Sequence, residues 1–406
     1  MVPSGRRHPS PAVVRRRRIG LAAAALIALL LGVAFGALGD GGSDGPRAAA
    51  TNRGGAAPGD ADAPVPSALE QARADVARMP LRQQVGELQI VAFNGTSAPG
   101  YVLAALREGR AAGVILFGGN APSAASVRAL TWSLRRAGRV SGGPLPIVCL
   151  DQEGGAIRTL RFAPSAVGQA GQPTAAAAAR AATATARALR GAGVNVVLGP
   201  VADVAAGTRG SVMASRAYPG SAAHVAMSVR AAAGAYLRAG ILPVAKHFPG
   251  LGGATTNTDQ AAARIGRTRA QLAADLLPFR AALAVGTPLV MLGHARYPAL
   301  DPQRIASQSH AIATDLLRGE LGFDGVVMTD SLEAHAALAT TDGDVGAAAV
   351  RSLQAGADLL LMTGPGSLPL VRDAVMHAAR RSPAVRARVV DAAARVLVLR
   401  RALPVD

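Results

Sequence analysis

Eight short apolar runs, separated by Ala/Leu/Arg stretches of helical spacing and mostly preceded by a glycine, predict an α/β protein built on a single (β/α)8 barrel. The runs occupy residues 88–93, 114–117, 147–151, 194–201, 242–246, 289–293, 326–330 and 359–362. They are apolar almost throughout rather than alternating, as expected of parallel strands buried on both faces. Six follow a glycine that closes a helix-like segment: Gly113, Gly193, Gly240, Gly286, Gly322 and Gly356. A glycine just past a helix supplies a left-handed cap and lets the chain turn into a strand. Eight strands favour a closed barrel; an open doubly wound sheet is the other architecture that fits.

Before the first run the sequence reads differently. Arg15, Arg16, Arg17 and Arg18 stand directly before residues 19–38, which are uncharged and largely apolar. Twenty such residues make about 30 Å of helix, enough to cross a bilayer. The arginines keep the N-terminal side in the cytoplasm and direct the rest outward. Residues 1–38 are therefore expected to be a membrane anchor or a cleaved signal, and 39–66, rich in Gly, Ala, Asp and Pro, a flexible tether. Residues 67–406 are then the working domain, exported and either held at the membrane or secreted.

Within that domain the helical stretches, such as 270–283 and 306–317, lie between consecutive runs. With only twelve Phe, Tyr or Trp residues, the core must be built from Leu, Val, Ile and Ala. Trp132 falls in a Leu/Trp/Leu stripe and is expected in that core. Cys149, the only cysteine, excludes disulfides, multi-cysteine zinc sites and a lipobox-type anchor, and its apolar run makes it a buried strand residue. The net charge of +18 invites a nucleic-acid reading, but the arginines of the domain are scattered, with no basic stripe and almost no aromatics for stacking. No His-x-His or His-Glu-x-x-His spacing marks a metal, Asp342-Gly343-Asp344 is too short for a calcium loop, and Gly250-Leu251-Gly252-Gly253 lacks the Gly-Lys-Ser/Thr of a nucleotide loop. No cofactor is expected.

A barrel of this kind carries its active site at the C-terminal ends of the strands. Those ends hold nearly all the unusual polar residues: Asn120, then Asp151 with Glu153 and Arg158, then Asp203 and Arg216, Lys246-His247, His294 and Thr329-Asp330. Lys246 is the only lysine among 43 basic residues. A compact ammonium survives where a five-donor guanidinium fork would not serve. The mixture of cations, histidines and carboxylates suits a polyhydroxylated ligand, each of whose hydroxyls needs a donor and an acceptor.

Three segments make a resemblance specific. Asp151-Gln152-Glu153-Gly154-Gly155, Lys246-His247-Phe248-Pro249-Gly250 and Gly322-Phe323-Asp324-Gly325-Val326-Val327-Met328-Thr329-Asp330 resemble, in order and spacing, the marker segments of glycoside hydrolase family 3. Asn120, Arg216 before Ala217-Tyr218, and His294 with Tyr297-Pro298 fit as well, and the match covers roughly residues 75–400. The chain looks most like the single-domain bacterial β-N-acetylglucosaminidases that trim cell-wall sugars. The resemblance implies a carbohydrate substrate, a terminal β-linked N-acetylglucosamine, and a retaining mechanism with Asp330 as nucleophile. It implies that Asp151, Lys246, His247 and Arg216 hold the terminal sugar, with Asn120, His294 and Arg158 beside them.

The chain departs from the pattern at the general acid. Where that branch carries an Asp-x-His dyad, the sequence reads Asn257-Thr258-Asp259, and Leu251 replaces a usual histidine. Asp259 is the expected acid, its pKa raised by burial or by Asp330; His294 and Glu153 are the alternatives. A β-glucosidase of the same family and a sugar-binding protein without turnover remain as second readings. A Schiff-base enzyme using Lys246 would need an apolar, charge-poor pocket, whereas His247 and several acids surround it.

Overall fold

The computed structural model describes residues 66–139 and 142–404. The expected membrane-directing segment, 1–38, and nearly all of the tether lie outside them. Among the described residues no helix is long and apolar enough to cross a membrane.

All eight apolar runs contribute strands: β1 (Gln89–Val91), β2 (Gly113–Ile115), β3 (Ile147–Leu150), β4 (Val196–Val197), β5 (Leu242–Phe248), β6 (Leu289–Leu292), β7 (Val326–Thr329) and β8 (Leu360–Leu361). Each pairs with the next in parallel, and β8 pairs in parallel with β1. Between β7 and β8 the circle is completed by a Met328–Leu359 bridge, with Leu359 N–H donating to Val327 O at 3.0 Å and Thr329 N–H to Leu359 O at 2.9 Å. The sheet is therefore a closed barrel, and the open alternative falls. Every strand except β5 is shorter than its run, because the run continues past its ladder into the loop that builds the site. In the fourth run Pro200 has no N–H to donate, and pairing resumes only where Val201 bridges Lys246.

Alternation along the strands explains the continuous apolar runs. Ile90, Ile115, Ile147, Cys149, Val196, Val244, Met291, Met328 and Leu361 fill one cluster, the barrel interior. Their neighbours Val91, Val114, Val148, Val197, Ala245, Val290, Val327 and Leu360 join the layer between strands and helices. Both faces are buried, so neither tolerates a polar alternation.

Five of the six expected cap glycines (193, 240, 286, 322 and 356) have positive φ. Gly113 does not. It lies inside β2, where a Cβ would stand 2.1 Å from the Ile147 carbonyl oxygen, so close strand approach explains this glycine. Trp132 also departs from expectation. Leu130 and Leu134 of the helix Ala124–Arg139 are buried, but Trp132 is 61% exposed, with the Arg136 guanidinium 5.3 Å from its ring. One apolar residue in a helical stripe can point outward when its neighbours already cover the core-facing arc.

Candidate active site

A cavity of about 590 Å³ opens at the C-terminal ends of the strands, floored by Ile115, Leu198, Met291 and Leu361 of the barrel interior. Asp151, Arg216, Lys246, His247, Asp259 and Asp330 line it together. Residues from four loops, spread over positions 151 to 330 of the chain, thus meet in one space, because parallel strands deliver every C-terminal end to the same mouth.

Lys246, 2% exposed at the end of β5, donates to Asp151 Oδ1 at 2.5 Å and lies 2.8 Å from Glu153 Oε1. Glu153 also receives a two-pronged grip from Arg216, Nε to Oε2 at 2.9 Å and Nη2 to Oε1 at 2.6 Å. Burial pushes the Glu153 carboxyl up, but Lys246 and Arg216 outweigh it and hold it well below the usual carboxylate range. Burial likewise lowers the Lys246 pKa, and Asp151 and Glu153 reverse the sign, so the ammonium keeps its proton. A cation network of this kind presents the Asp151 carboxylate, itself partly exposed, to the cavity.

The Lys246–His247 and Phe248–Pro249 peptide bonds here are cis. Asp203, fully buried, accepts from the His247 ring Nδ1 at 2.8 Å, from His247 N–H at 3.2 Å and from Leu251 N–H at 2.6 Å. A carboxylate facing Nδ1 fixes the proton on that nitrogen and leaves Nε2 for other partners. Tyr297 ties the loop after β6 to the same turn, donating to Gly250 O at 3.0 Å.

Asp330 follows β7. Its Oδ1 accepts from Ser331 N–H at 2.8 Å, and the next helix begins only at His335, so Asp330 is not a helix cap. Burial raises its pKa, but His247, His294, the Ser331 N–H and Lys246 together bring it below the ordinary aspartate value. Asp259 moves the opposite way. It lies on the loop after β5, raised first by burial and then by the Asp330 charge. Two carboxyl groups with oppositely displaced pKa values thus share one cavity, the arrangement in which one can give a proton while the other stays ionised.

Three expected subsite residues do not line the cavity. The Asn120 amide is spent on backbone, accepting from Phe117 N–H at 2.8 Å and donating to Phe93 O at 3.0 Å and Gly95 O at 2.7 Å. Arg158 turns back onto its own hairpin, donating to Gly155 O at 3.1 Å. His294 is fully buried, its ring nitrogens 2.7 Å from Ser307 Oγ and 2.8 Å from Ser331 O. It braces the residue next to Asp330 from behind. His294 and Glu153, the alternatives to Asp259, thus have their polar atoms committed elsewhere.

The sequence reading passed over Glu333 and Thr363. Both line the cavity, and Glu333 Oε2 accepts from Thr363 N–H at 2.8 Å and from Ser331 Oγ at 3.2 Å. Ser331-Leu332-Glu333-Ala334 looks like a helix start, which hid a loop joined to the end of β8. Phe117, 38% exposed, is the one Phe, Tyr or Trp in the lining. One ring suits a pocket for a single sugar better than a groove for a long polymer.

The same sequence is similar to known proteins over most of this barrel. A β-hexosaminidase of Xanthomonas oryzae pv. oryzae is 34% identical over 272 residues, covering 64% of this chain and 78% of that protein. The crystal structure of a β-N-acetylhexosaminidase from Beutenbergia cavernae superposes with a TM-score of 0.71 at 32% identity, covering 80% of this chain and 99% of that one. A family 3 β-N-acetylglucosaminidase from Paenibacillus gives a TM-score of 0.74 at 32% identity, with 80% of this chain and 63% of that chain covered. The pattern of the glycosyl hydrolase family 3 N-terminal domain matches residues 80–399, and the chain belongs to that family.

Proposed function

We propose that this chain is an exported β-N-acetylhexosaminidase that removes terminal β-linked N-acetylglucosamine with retention, Asp330 attacking the anomeric carbon and Asp259 serving as acid and then base. One observation carries the reading: Asp330 is held ionised and Asp259 is pushed toward its protonated form in the same cavity, beside the Asp151–Lys246–His247–Arg216 cluster. In the first half-reaction the Asp330 carboxylate forms an ester with the sugar while Asp259 gives its proton to the leaving oxygen. In the second, Asp259 takes a proton from water, which cleaves the ester. Asp151 accepts from sugar hydroxyls, while Lys246, His247 Nε2 and Arg216 grip their oxygens. The β-hexosaminidase and β-N-acetylglucosaminidase names of the relatives support the choice of sugar. The apolar 19–38 segment behind four arginines supports export, and one relative is named a secreted glycosyl hydrolase.

Nitrophenyl β-glycosides of N-acetylglucosamine and glucose test the reading, because an activated leaving group needs little acid help. The wild-type chain should turn over the amino sugar faster, and Asp330→Asn should lower kcat by at least about 10⁴-fold with the fold intact. Faster turnover of glucose would make it a β-glucosidase. Binding of N-acetylglucosamine with no turnover of either would make it a sugar-binding protein.

A further inference from the structure

Beside the active site lies a second cavity of about 530 Å³, its wall formed by the continuation of the Asp259 loop, Ala262 and Ala263, and by Ala336 just beyond Ala334. Four guanidinium side chains line it, from Arg264, Arg296, Arg304 and Arg351, and no carboxylate does. All the charged groups of its lining are cations. Arg351 Nη1 reaches the Thr340 carbonyl oxygen, and among the described residues no ion pair involves any of the four. Nearby Asp301 attracts Arg304 electrostatically, but its oxygens are taken by Ser309 Oγ at 2.6 Å, Gln303 N–H at 2.9 Å and Arg304 N–H at 3.1 Å.

The backbone pairing in the cavity's wall marks it as short of an acceptor. The backbone pairs Arg264 with Arg296 in parallel, Ile265 N–H donating to Arg296 O at 2.8 Å and Arg296 N–H to Ala263 O at 2.9 Å. Directly paired residues project to the same face, and like charges placed so are destabilising. Gln308, only 4% exposed, also lines the cavity. Its Oε1 accepts from Thr340 Oγ1 at 3.0 Å, but its Nε2 has no partner at all. That nitrogen is closed off from the cavity space, so its unmet hydrogen bond belongs to the wall and not to a ligand contact.

We infer that this cavity is a binding site for a carboxylate or phosphate group, held by the Arg264–Arg296 pair with Arg304 and Arg351. Guanidinium forks match the planar or tetrahedral oxygens of such groups and relieve their own repulsion by binding them. Because the Asp259 loop walls both cavities, the anion in use is one borne by the substrate on its leaving-group side. That last clause rests on the glycosidase reading; the anion site itself does not.

Calorimetric titration of the full chain with inorganic phosphate at low ionic strength tests the site apart from activity. Binding should be present in wild type and weaken roughly 10- to 100-fold in Arg264→Gln/Arg296→Gln, with salt weakening the wild-type affinity too. Without phosphate the double variant should melt no lower than wild type, since its exposed arginines repel each other. No phosphate binding, binding unchanged in the variant, or a variant that melts lower would overturn the inference. A second arm compares N-acetylglucosaminides with neutral and with carboxylate-bearing leaving groups. A kcat/KM advantage for the acidic one that disappears in the double variant identifies the substrate as source. Equal loss on both, or no advantage, with phosphate binding retained, assigns the site to a free anion.

Discussion

The two mouths of the barrel are both ringed by buried ion pairs, yet they are assembled on opposite principles. At the N-terminal mouth, Asp358 before β8 is fully buried and receives Arg318 at 2.5 Å, Arg388 at 2.5 Å and the Val327 N–H at 2.8 Å. Glu87 before β1 pairs with Arg400 at 2.5 Å, whose other nitrogens reach Leu145 O and Pro144 O. These clusters join the C-terminal helix Pro383–Arg401 and the strand starts, and arginine forks fill most of their acceptors. At the C-terminal mouth the central cation is Lys246, and the carboxylates around the cavity retain capacity: Asp151 is partly exposed, and among the described residues Asp330 accepts from the Ser331 N–H alone. Closed clusters hold the barrel together. Open ones hold something else.

The largest effect expected from breaking this contrast is at Asp259. Asp259→Asn should lower kcat/KM by about 10²–10⁴-fold on glycosides with poor leaving groups and far less on nitrophenyl substrates. The pH profile sharpens the test. Asp330 must be ionised, and its depressed pKa puts the acid limb below the ordinary aspartate value. Asp259 must be protonated at the start, and its raised pKa puts the falling limb above that value. Activity should therefore fall as pH rises through the Asp259 pKa, and the Asn variant should lose that alkaline limb. An unchanged limb in the variant would remove Asp259 from the mechanism.

The mirror experiment is at the closed mouth. Asp358→Ala leaves the partly buried Arg318 without its carboxylate and Arg388 with Asp391 alone, and exposes the Val327 N–H to an empty space, which costs about 2–3 kcal/mol of stability. Denaturant unfolding should show that loss, while the folded fraction keeps wild-type kcat/KM. A selective fall in kcat/KM would mean that the two mouths are coupled.

How much of this was legible beforehand follows from the same contrast. The strands could be read because burial on both faces forces continuous apolar runs, and the end of each run located the mouth. Asp151, Lys246, His247, Arg216, Asp259 and Asp330 come together there, since parallel strands deliver their C-terminal ends and the loops that follow to one mouth. Direction around the strand end was not legible. Asn120 and Arg158 stand at equivalent places, but their side chains satisfy nearby backbone oxygens instead. Glu333 and Thr363 meet across β7 and β8, thirty positions apart, and no local pattern encodes that hydrogen bond. The arginine cavity was hidden for a related reason: Arg264, Arg296, Arg304 and Arg351 are scattered in sequence and gather only when three extended segments and a helix pack.

A reciprocal exchange of cations gives the smallest but most discriminating effect. Arg388 reaches Asp358, Asp391 and the carbonyl oxygens of Gly356 and Ala357, four acceptors that a single ammonium cannot serve in that geometry. Arg388→Lys should therefore lower stability by about 1–2 kcal/mol without changing KM. Lys246 has the opposite constraint. Its ammonium sits between Asp151 and Glu153 in a space with 2% exposure, too small for the added width of a guanidinium, whose planar fork would turn Asp151 away from the cavity. Lys246→Arg keeps the charge but overpacks a buried site, so about 1–3 kcal/mol of stability should be lost; the aim of Asp151 is lost with it, and KM should rise about tenfold or more. If Lys246→Arg lowered stability but left KM alone, the lone lysine would belong with the closed clusters, and the distinction between the two mouths would fail at its central residue.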